Sequence, residues 1–347
     1  TTDGSIPNSK KIKIDVEEMP TGEISAGAGI GTDGGSFAFS VKENNWLGKG
    51  VTVAANADVS ADSLKGSLSL TDPDYNFTGR ELSYFLKNEQ IDKKNSGYEN
   101  NILGAGASLS YEKFRDIYLS PGFSLTYDDL TTDSTASELL RKQSGSSTDL
   151  LFDYALSTDK RDRRFMPREG YLTSFYQQLP MYADQPHIKN SFSTNHYKEV
   201  SEDLIGALKF SATAINGIND EDVRVSQRLT LSSRKLRGFE SGKVGPKDGD
   251  DFIGGNYSTT LNLEANFPNF FPEKSNAEIG LFLDAGNIWG VDYSDTIDDS
   301  NKLRSTVGLN TSWLSPAGPL SFIFSKNITK ADTDVDQSFN FRLGTTF

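Results

Sequence analysis

Hydrophobic and polar residues alternate along most of the chain, in short segments that end in turns rich in Gly, Asp, Asn, Ser or Pro. The clearest segment has one set of residues on one face of a strand and a polar set on the other: Tyr257, Thr259, Leu261, Leu263, Ala265 and Phe267 against Ser258, Thr260, Asn262, Glu264 and Asn266. A period of two indicates a β-strand with one apolar face. We count about sixteen such segments between Gly22 and Phe347, and this even number predicts an all-β, antiparallel barrel.

Such a barrel would cross a membrane, because its apolar face suits lipid and its polar face suits a watery lumen. The mean hydropathy of −0.49 agrees with this, since alternation keeps the average polar. The chain has no apolar run near the ~18 residues that a spanning helix needs, so we expect no helical membrane segment. We therefore predict a transmembrane β-barrel.

The lengths of the connections predict which side each one faces. Short connections, Ser315 to Gly318 and Lys113 to Asp116, are expected on the periplasmic side. Long polar connections, at residues 131–146, 216–254 and 291–300, are expected outside the cell. Both ends of the barrel then face the periplasm.

Residues 1–21 differ from the rest, because residues 11–17 alternate like a soluble strand and lead into the first barrel strand. We predict that 1–21 is the tail of a preceding periplasmic domain and that 22–347 is the barrel. The stretch from Thr1 to Lys10 lacks the apolar core of a secretory signal, so we expect the natural start to be missing or removed.

Charge and residue usage argue against several function classes. The formal net charge of −13 is unfavourable for a nucleic-acid partner, which needs clustered Lys and Arg. The two histidines, His187 and His196, give no arguable Ser–His–Asp arrangement, and no Gly-rich phosphate loop is present. We expect no catalysis and no cofactor.

Two acidic runs, residues 247–251 and 332–336, contain the carboxylates that attract Ca²⁺ or Mg²⁺. Neither matches a complete calcium loop. We favour solvated acidic loops over metal binding.

Three motifs in order resemble those of the BamA superfamily of outer-membrane insertases and transporters. They are Leu236, Arg237, Gly238 and Phe239 in the longest loop, residues 282–286 ending in Gly286, and the turn from Thr158 to Gly170. Residues 45–48, 245–247, 254–256 and 313–320 extend the resemblance, which covers about Lys11 to Phe347. It implies a bacterial outer-membrane location, preceding POTRA domains, unfolded outer-membrane protein clients, lipoprotein partners and contact with the lipid bilayer.

The resemblance also implies that the sixth loop folds into the lumen through its arginine. Alternation places Glu264 and Asp284 on the polar faces of neighbouring strands, where such an arginine would meet them. We therefore predict a loop-six latch, made by Leu236, Arg237, Gly238, Phe239, Glu264, Asp284 and Gly286. Two alternatives are a solvated loop cation at Arg237 and a latch that chiefly stabilises the barrel.

The first strand, Gly22–Gly31, is rich in Gly and Ala and so offers little cross-strand packing. We predict that its seam with the last strand, residues 337–347, is a lateral gate formed by Gly22, Ile24, Gly27, Gly29, Phe339, Phe341, Leu343 and Phe347. The alternative for the small residues is close packing against a plug. The terminal aromatic residue also suits an interfacial anchor.

The function that we predict is an insertase that folds and inserts outer-membrane β-barrels through this gate. An open seam would expose unpaired backbone groups, which a client strand would satisfy by β-augmentation. One alternative is a two-partner secretion pore of the same superfamily. The other is a passive porin, which would leave the motif at residues 236–239 unexplained.

Overall fold

A computed structural model describes residues 19–164, 166–272, 276–298, 301–315 and 318–344, together with 2–3, 10–11, 13–14 and 17. Sixteen strands form the main body. They are β1 Gly22–Gly31, β2 Gly34–Trp46, β3 Val51–Ser60, β4 Ser63–Asp72, β5 Glu81–Lys93, β6 Tyr98–Phe114, β7 Ile117–Thr132, β8 Gly145–Asp159, β9 Gly170–Ala183, β10 His187–Ser201, β11 Leu204–Gly217, β12 Tyr257–Phe267, β13 Ala277–Trp289, β14 Arg304–Ser315, β15 Gly318–Thr329 and β16 Phe339–Gly344.

These sixteen strands close into one antiparallel barrel, in which each strand pairs with its neighbours in sequence and β16 pairs with β1. The predicted strand number and closed all-β fold are thus confirmed. That the sixth loop enters the lumen stays a prediction. No helix in the described ranges has the length and apolar character needed to cross a bilayer.

The two faces of each wall strand differ in the way that the alternation predicts. On β12 and β13 the leucines Leu261 and Leu283 are exposed, whereas Asn262 and Asp284, one residue away, are buried. Exposed apolar side chains around a closed barrel form the surface that suits lipid. Buried polar side chains on the opposite face are available to contact the loops.

The connections follow the predicted lengths only in part. The rim opposite the chain ends carries the long connections 133–144, 218–256 and 290–303, and it also carries the tight turns 32–33 and 61–62. The three predicted long connections therefore share one rim, but a short connection does not by itself indicate the opposite rim. Each hairpin needs only enough residues to reverse direction, and loop length beyond that reflects what the loop contacts. The predicted short turn near Lys113 to Asp116 is present at 115–116.

Two further pairs of short strands lie outside the barrel wall. Gly238–Phe239 pairs with Asp336–Gln337, and Lys247–Asp248 pairs with Asp251–Phe252. Gln337 therefore pairs with the sixth loop, although we predicted it in the last barrel strand, which begins at Phe339. The helical segments are short: an α-helix at Glu138–Arg141 and 3₁₀ turns at Tyr75–Phe77, Lys94–Ser96 and Val225–Gln227.

The N-terminal segment includes a short pair between Thr2–Asp3 and Lys10–Lys11, and the barrel wall begins at Gly22. The assignment of residues 1–21 to a periplasmic domain stays a prediction.

The described part of the seam between β16 and β1 is short. Three residue pairs join these strands, Gly31 with Arg342, Ile30 with Leu343 and Gly29 with Gly344. By contrast, ten pairs join β1 to β2. Within the part of β16 that the structure describes, which ends at Gly344, the edge of β1 from Gly22 to Ala28 has no partner on this side.

Candidate functional site

Arg237 lies in the connection between β11 and β12 and contacts carboxylates from two wall strands. Its Nε and Nη2 donate to Asp284 Oδ2 and Oδ1 at 2.7 and 2.6 Å, and its backbone N donates to Asp284 Oδ2 at 3.1 Å. Its Nη1 lies 2.9 Å from Glu264 Oε1. Asp284 therefore accepts a bidentate, charge-assisted pair, which is the strongest common form of this contact.

The surroundings of Arg237 exclude water and supply further attraction. The side chains of Arg237 and Glu264 are each 8% exposed, and that of Asp284 is 0% exposed. The guanidinium carbon stands 3.7 Å from the centroid of the Phe282 ring, a cation–π geometry. Lys209 on β11 donates to the second oxygen of Glu264 at 2.8 Å. Burial by itself would lower the pKa of Arg237, but Asp284 and then Glu264 raise it, so the guanidinium stays charged.

The apolar residues of the motif pack beside this cluster. Leu236 and Phe239 are buried with Leu231, Val244 and Ile288 in one hydrophobic cluster. A methyl group added at Gly286 would lie 3.4 Å from Leu236 Cδ1, so Leu236 packs directly over that glycine. The structure thus brings together all seven residues of the predicted latch. That they hold the loop in the lumen and act in function stays a prediction.

Gly238 is the residue of the motif with the tightest steric demand. Its φ is +92°, and an added Cβ would lie 2.3 Å from Asn327 Oδ1 and 2.7 Å from Thr306 Oγ1. Its carbonyl oxygen accepts a hydrogen bond from Asn327 Nδ2 at 3.0 Å. We therefore expect Gly238→Ala to displace the loop from β14 and β15 and to lower the heat resistance of the folded barrel.

Gly242→Ala is the matched control for Gly238→Ala, because Gly242 has a φ of +73° in the same loop but nothing within 4 Å of an added Cβ. Both variants carry the strain of a positive φ, and only Gly238→Ala adds the clash. Heat resistance can be read from the temperature at which the compact barrel loses its fast mobility on a gel. Equal losses in the two variants would contradict close packing at Gly238.

A second buried ion pair was missed by the sequence analysis. Arg304 on β14 donates to both oxygens of Asp334, at 2.9 and 3.0 Å, and the side chains are 3% and 0% exposed. Asp334 also accepts from the backbone N of Ala331 at 2.7 Å and of Gly245 at 3.3 Å. The interpretation of residues 332–336 as a solvated acidic loop is therefore wrong at Asp334, which joins this loop to the sixth.

The other acidic run also makes specific contacts. Asp248 accepts hydrogen bonds from Ser137 and, at 3.0 Å, from Tyr293. Burial and then the charge of Asp248 raise the pKa of Tyr293 well above its usual range, which keeps that phenol protonated. Asp248 thus links three loops. Among the described residues no group of three or more acidic, His or Cys side chains is placed to hold a metal ion.

The predicted gate residues are only partly brought together. Gly29 and Leu343 lie in the seam, whereas Gly22, Ile24 and Gly27 pair with β2 and with no described residue of β16. Phe339 and Phe341 pair with Phe324 and Phe322 of β15. The backbone of Phe341 still reaches β1, because its carbonyl accepts from Thr32 N at 3.0 Å and its N donates to the Thr32 hydroxyl at 2.9 Å. Phe347 lies outside the described residues.

The two histidines have structural neighbours of their own. His187 is buried at the start of β10, with Nδ1 3.2 Å from the carbonyl oxygen of Gln185. His196 stacks on Tyr171 of β9, with ring centroids 5.4 Å apart. The expectation that neither serves catalysis stays a prediction.

Comparison with known proteins shows the family to which the chain belongs. Residues 45–347 match the model described as the Omp85 superfamily domain. The chain belongs to the Omp85 superfamily. Within this superfamily it is similar to the outer membrane protein assembly factor BamA of Neorickettsia risticii, with 27% identity over 97% of this chain and 46% of that protein. The chain spans about half the length of the curated relatives it matches.

Solved structures share the fold of this chain. BamA from Haemophilus ducreyi lacking POTRA domains 1–3 has a TM-score of 0.86 at 24% identity, over 95% of this chain and 71% of that one. CdiB from Escherichia coli has a TM-score of 0.61 at 14% identity, over 96% of this chain and 64% of that one. These likenesses show the barrel fold.

Proposed function

We propose that this barrel lies in the bacterial outer membrane and folds and inserts other outer-membrane β-barrels through a lateral gate between β1 and β16. The observation that carries the proposal is the three-pair seam, beside which the edge of β1 from Gly22 to Ala28 has no described partner. At membrane depth each unsatisfied backbone group costs several kcal/mol, so this edge favours pairing with an incoming strand.

The composition of β1 supports exchange of partners at that edge. Ala26, Ala28 and the glycines give small contacts with a neighbouring strand, so pairing there is held mainly by backbone hydrogen bonds. A client strand can supply the same backbone bonds whatever its side chains are. The free energy for insertion then comes from folding and burial of the client, and no cofactor is needed.

We propose that the Arg237 cluster folds the sixth loop into the lumen and braces the wall on the far side of β16 from β1. Its contacts reach β11, β12 and β13 through Lys209, Glu264 and Asp284, and the ladder at Gly238–Phe239 reaches the connection before β16. Because the wall is rigid there, the barrel opens most easily at the seam between β1 and β16. Preceding POTRA domains, which would receive unfolded clients, and lipoprotein partners belong to the same proposal.

A two-partner secretion pore is the second candidate, because the fold of the chain is also like that of CdiB at a TM-score of 0.61. The higher TM-score of 0.86 to a BamA barrel and the names of the curated relatives favour the insertase. A passive porin gives no role to the buried contacts of Arg237.

Depletion of the full-length protein in its host tests the proposal. We expect many unrelated barrels to disappear from the outer membrane and their unfolded forms to accumulate, as measured by quantitative mass spectrometry of the membrane fraction. Restored expression is the control. Loss of a single secreted protein, with other barrels unchanged, would instead identify a secretion pore.

A further inference from the structure

A polar cluster crosses the seam at the outer end of β1. Arg342 of β16 donates from Nη2 to the hydroxyl of Ser233 in the sixth loop at 2.9 Å. The Ser233 hydroxyl donates to Asp33 Oδ2 at 3.2 Å, and Asp33 lies in the turn between β1 and β2. Arg342 Nη2 is itself 3.5 Å from the same Asp33 oxygen. One serine of the loop thus bridges the two strands that form the seam.

From this geometry we infer that Asp33, Ser233 and Arg342 form a clasp through which the sixth loop holds the seam closed. Ser233 is 4% exposed, and the side chains of Arg342 and Asp33 are 25% and 42% exposed. Hydrogen bonds to charged groups are stronger than neutral ones, and partial burial reduces competition from water. Beside the three residue pairs that the described part of β16 makes with β1, such bonds add to what resists opening.

The clasp is mechanically joined to the Arg237 cluster by a short, ordered piece of the loop. The backbone N atoms of Lys235 and Leu236 donate to the carbonyl of Ser232 at 3.0 and 3.1 Å, which closes a turn around Ser233. Asn262 of β12 anchors this turn by donating to the Lys235 carbonyl at 2.9 Å. Ser233 can therefore hold its position against Arg342 only while Arg237 and its neighbours stay in place on β12 and β13.

The cavity between the clasp and the Arg237 cluster supports the same coupling of the sixth loop to the seam. Arg342, Arg234, Arg237 and Glu264 line one cavity of about 380 Å³. Arg234 and Arg342 place two like charges in this cavity, which repel each other, while Asp33 lies 3.5 Å from Arg342 and attracts it. If Asp33 or Ser233 lost its contact, this repulsion would drive Arg342 away from the loop. Release of the loop and opening of the seam are then one event.

Hydrogen exchange on the purified barrel in lipid nanodiscs tests the clasp without any client. The reporters are the backbone N–H groups of Thr32 and Phe341, which both donate across the seam. We expect Ser233→Ala and Arg342→Gln each to speed their exchange by at least about tenfold. Ser233→Ala removes two hydrogen bonds to charged groups, and Arg342→Gln removes one together with the ion pair to Asp33. The effect of the double variant should be smaller than the product of the two single effects, because both changes remove the same hydrogen bond between Arg342 and Ser233.

The matched controls are Ser60→Ala, whose hydroxyl pairs with Ser63 in the β3–β4 turn, and Arg115→Gln, whose side chain is 97% exposed in the β6–β7 turn. They should leave the seam amides unchanged. Unchanged seam exchange in both clasp variants, or multiplied effects in the double variant, would overturn the clasp.

A separate variant tests whether the sixth loop holds the seam. Asn262→Ala removes the anchor of the Lys235 carbonyl and leaves Arg237 and its carboxylates intact. Faster exchange at Thr32 and Phe341 is the expected result, and exchange that is unchanged there would show that the loop does not hold the seam. This inference rests on the proposed function, because the clasp matters for function only if the seam is a gate. The exchange measurement itself does not depend on that function. A failed depletion experiment would reject the insertase, whereas a failed exchange experiment would reject only the clasp.

Discussion

A disulfide between Ile30→Cys and Leu343→Cys should stop growth of a host that depends on this protein, and a reductant should restore it. Ile30 and Leu343 are directly paired in the seam. Paired residues of antiparallel strands have Cα atoms roughly 4.5–5.5 Å apart, which lies within the range for an unstrained disulfide. The 347-residue chain has no cysteine of its own, so the two introduced thiols are its only ones.

The control for the seam lock is the pair Val59→Cys and Leu64→Cys, which joins β3 to β4 at a directly paired position. That disulfide links two strands that need not separate, so growth should continue. The fraction of crosslinked protein is measured by gel mobility with and without reductant. Normal growth with the seam fully crosslinked would reject the lateral gate.

Arg237→Ala should lower the free energy of unfolding of the barrel by about 3–5 kcal/mol, the range for removing one partner of a buried ion pair. Most of this loss comes from Asp284, which is fully buried and would lose its bidentate partner. Glu264 keeps Lys209 and so contributes less. The change is measured from urea unfolding in lipid vesicles, and assembly of a client barrel in the same vesicles should fall with it.

Arg237→Lys separates charge from geometry. A lysine keeps the positive charge but replaces the planar fork with a single ammonium, so it cannot make the bidentate contact with Asp284. We expect an intermediate loss of stability. Arg115→Gln controls for the loss of an exposed arginine and should unfold like the natural protein. If Arg237→Ala matched Arg115→Gln in both stability and assembly, the latch would be rejected.

The barrel wall could be predicted from sequence because its signal is local. The face of a strand that a residue occupies depends only on its place among its immediate neighbours. The faces of Leu261, Asn262 and Leu263 therefore follow directly from their order. The first strand was predicted with its observed bounds, Gly22–Gly31, because Gly and Pro flank and punctuate it. The Arg237 contacts were predicted from the resemblance together with the alternation of residues, which put Glu264 and Asp284 on the polar faces of neighbouring strands.

Contacts that join distant parts of the chain carried no such signal. Arg304 is buried on β14, but nothing local in the sequence indicated that Asp334 would leave an acidic loop to meet it. The clasp joins Ser233 to Asp33, which are 200 positions apart, and depends on the stagger of β16 against β1. That stagger is a property of the closed barrel as a whole, since strand tilt and shear are set by closure.

The small ladder between Gly238–Phe239 and Asp336–Gln337 makes the sixth loop dependent on the end of the chain. Its partners are about a hundred positions apart, so the loop cannot finish docking until the last hairpin has been made. A chain interrupted before Asp336 would lack this ladder and would leave the nearby part of the loop more open to proteases. The sixth loop can therefore dock fully only after β16 has joined the barrel. Only then is the longest connection fully protected from proteases.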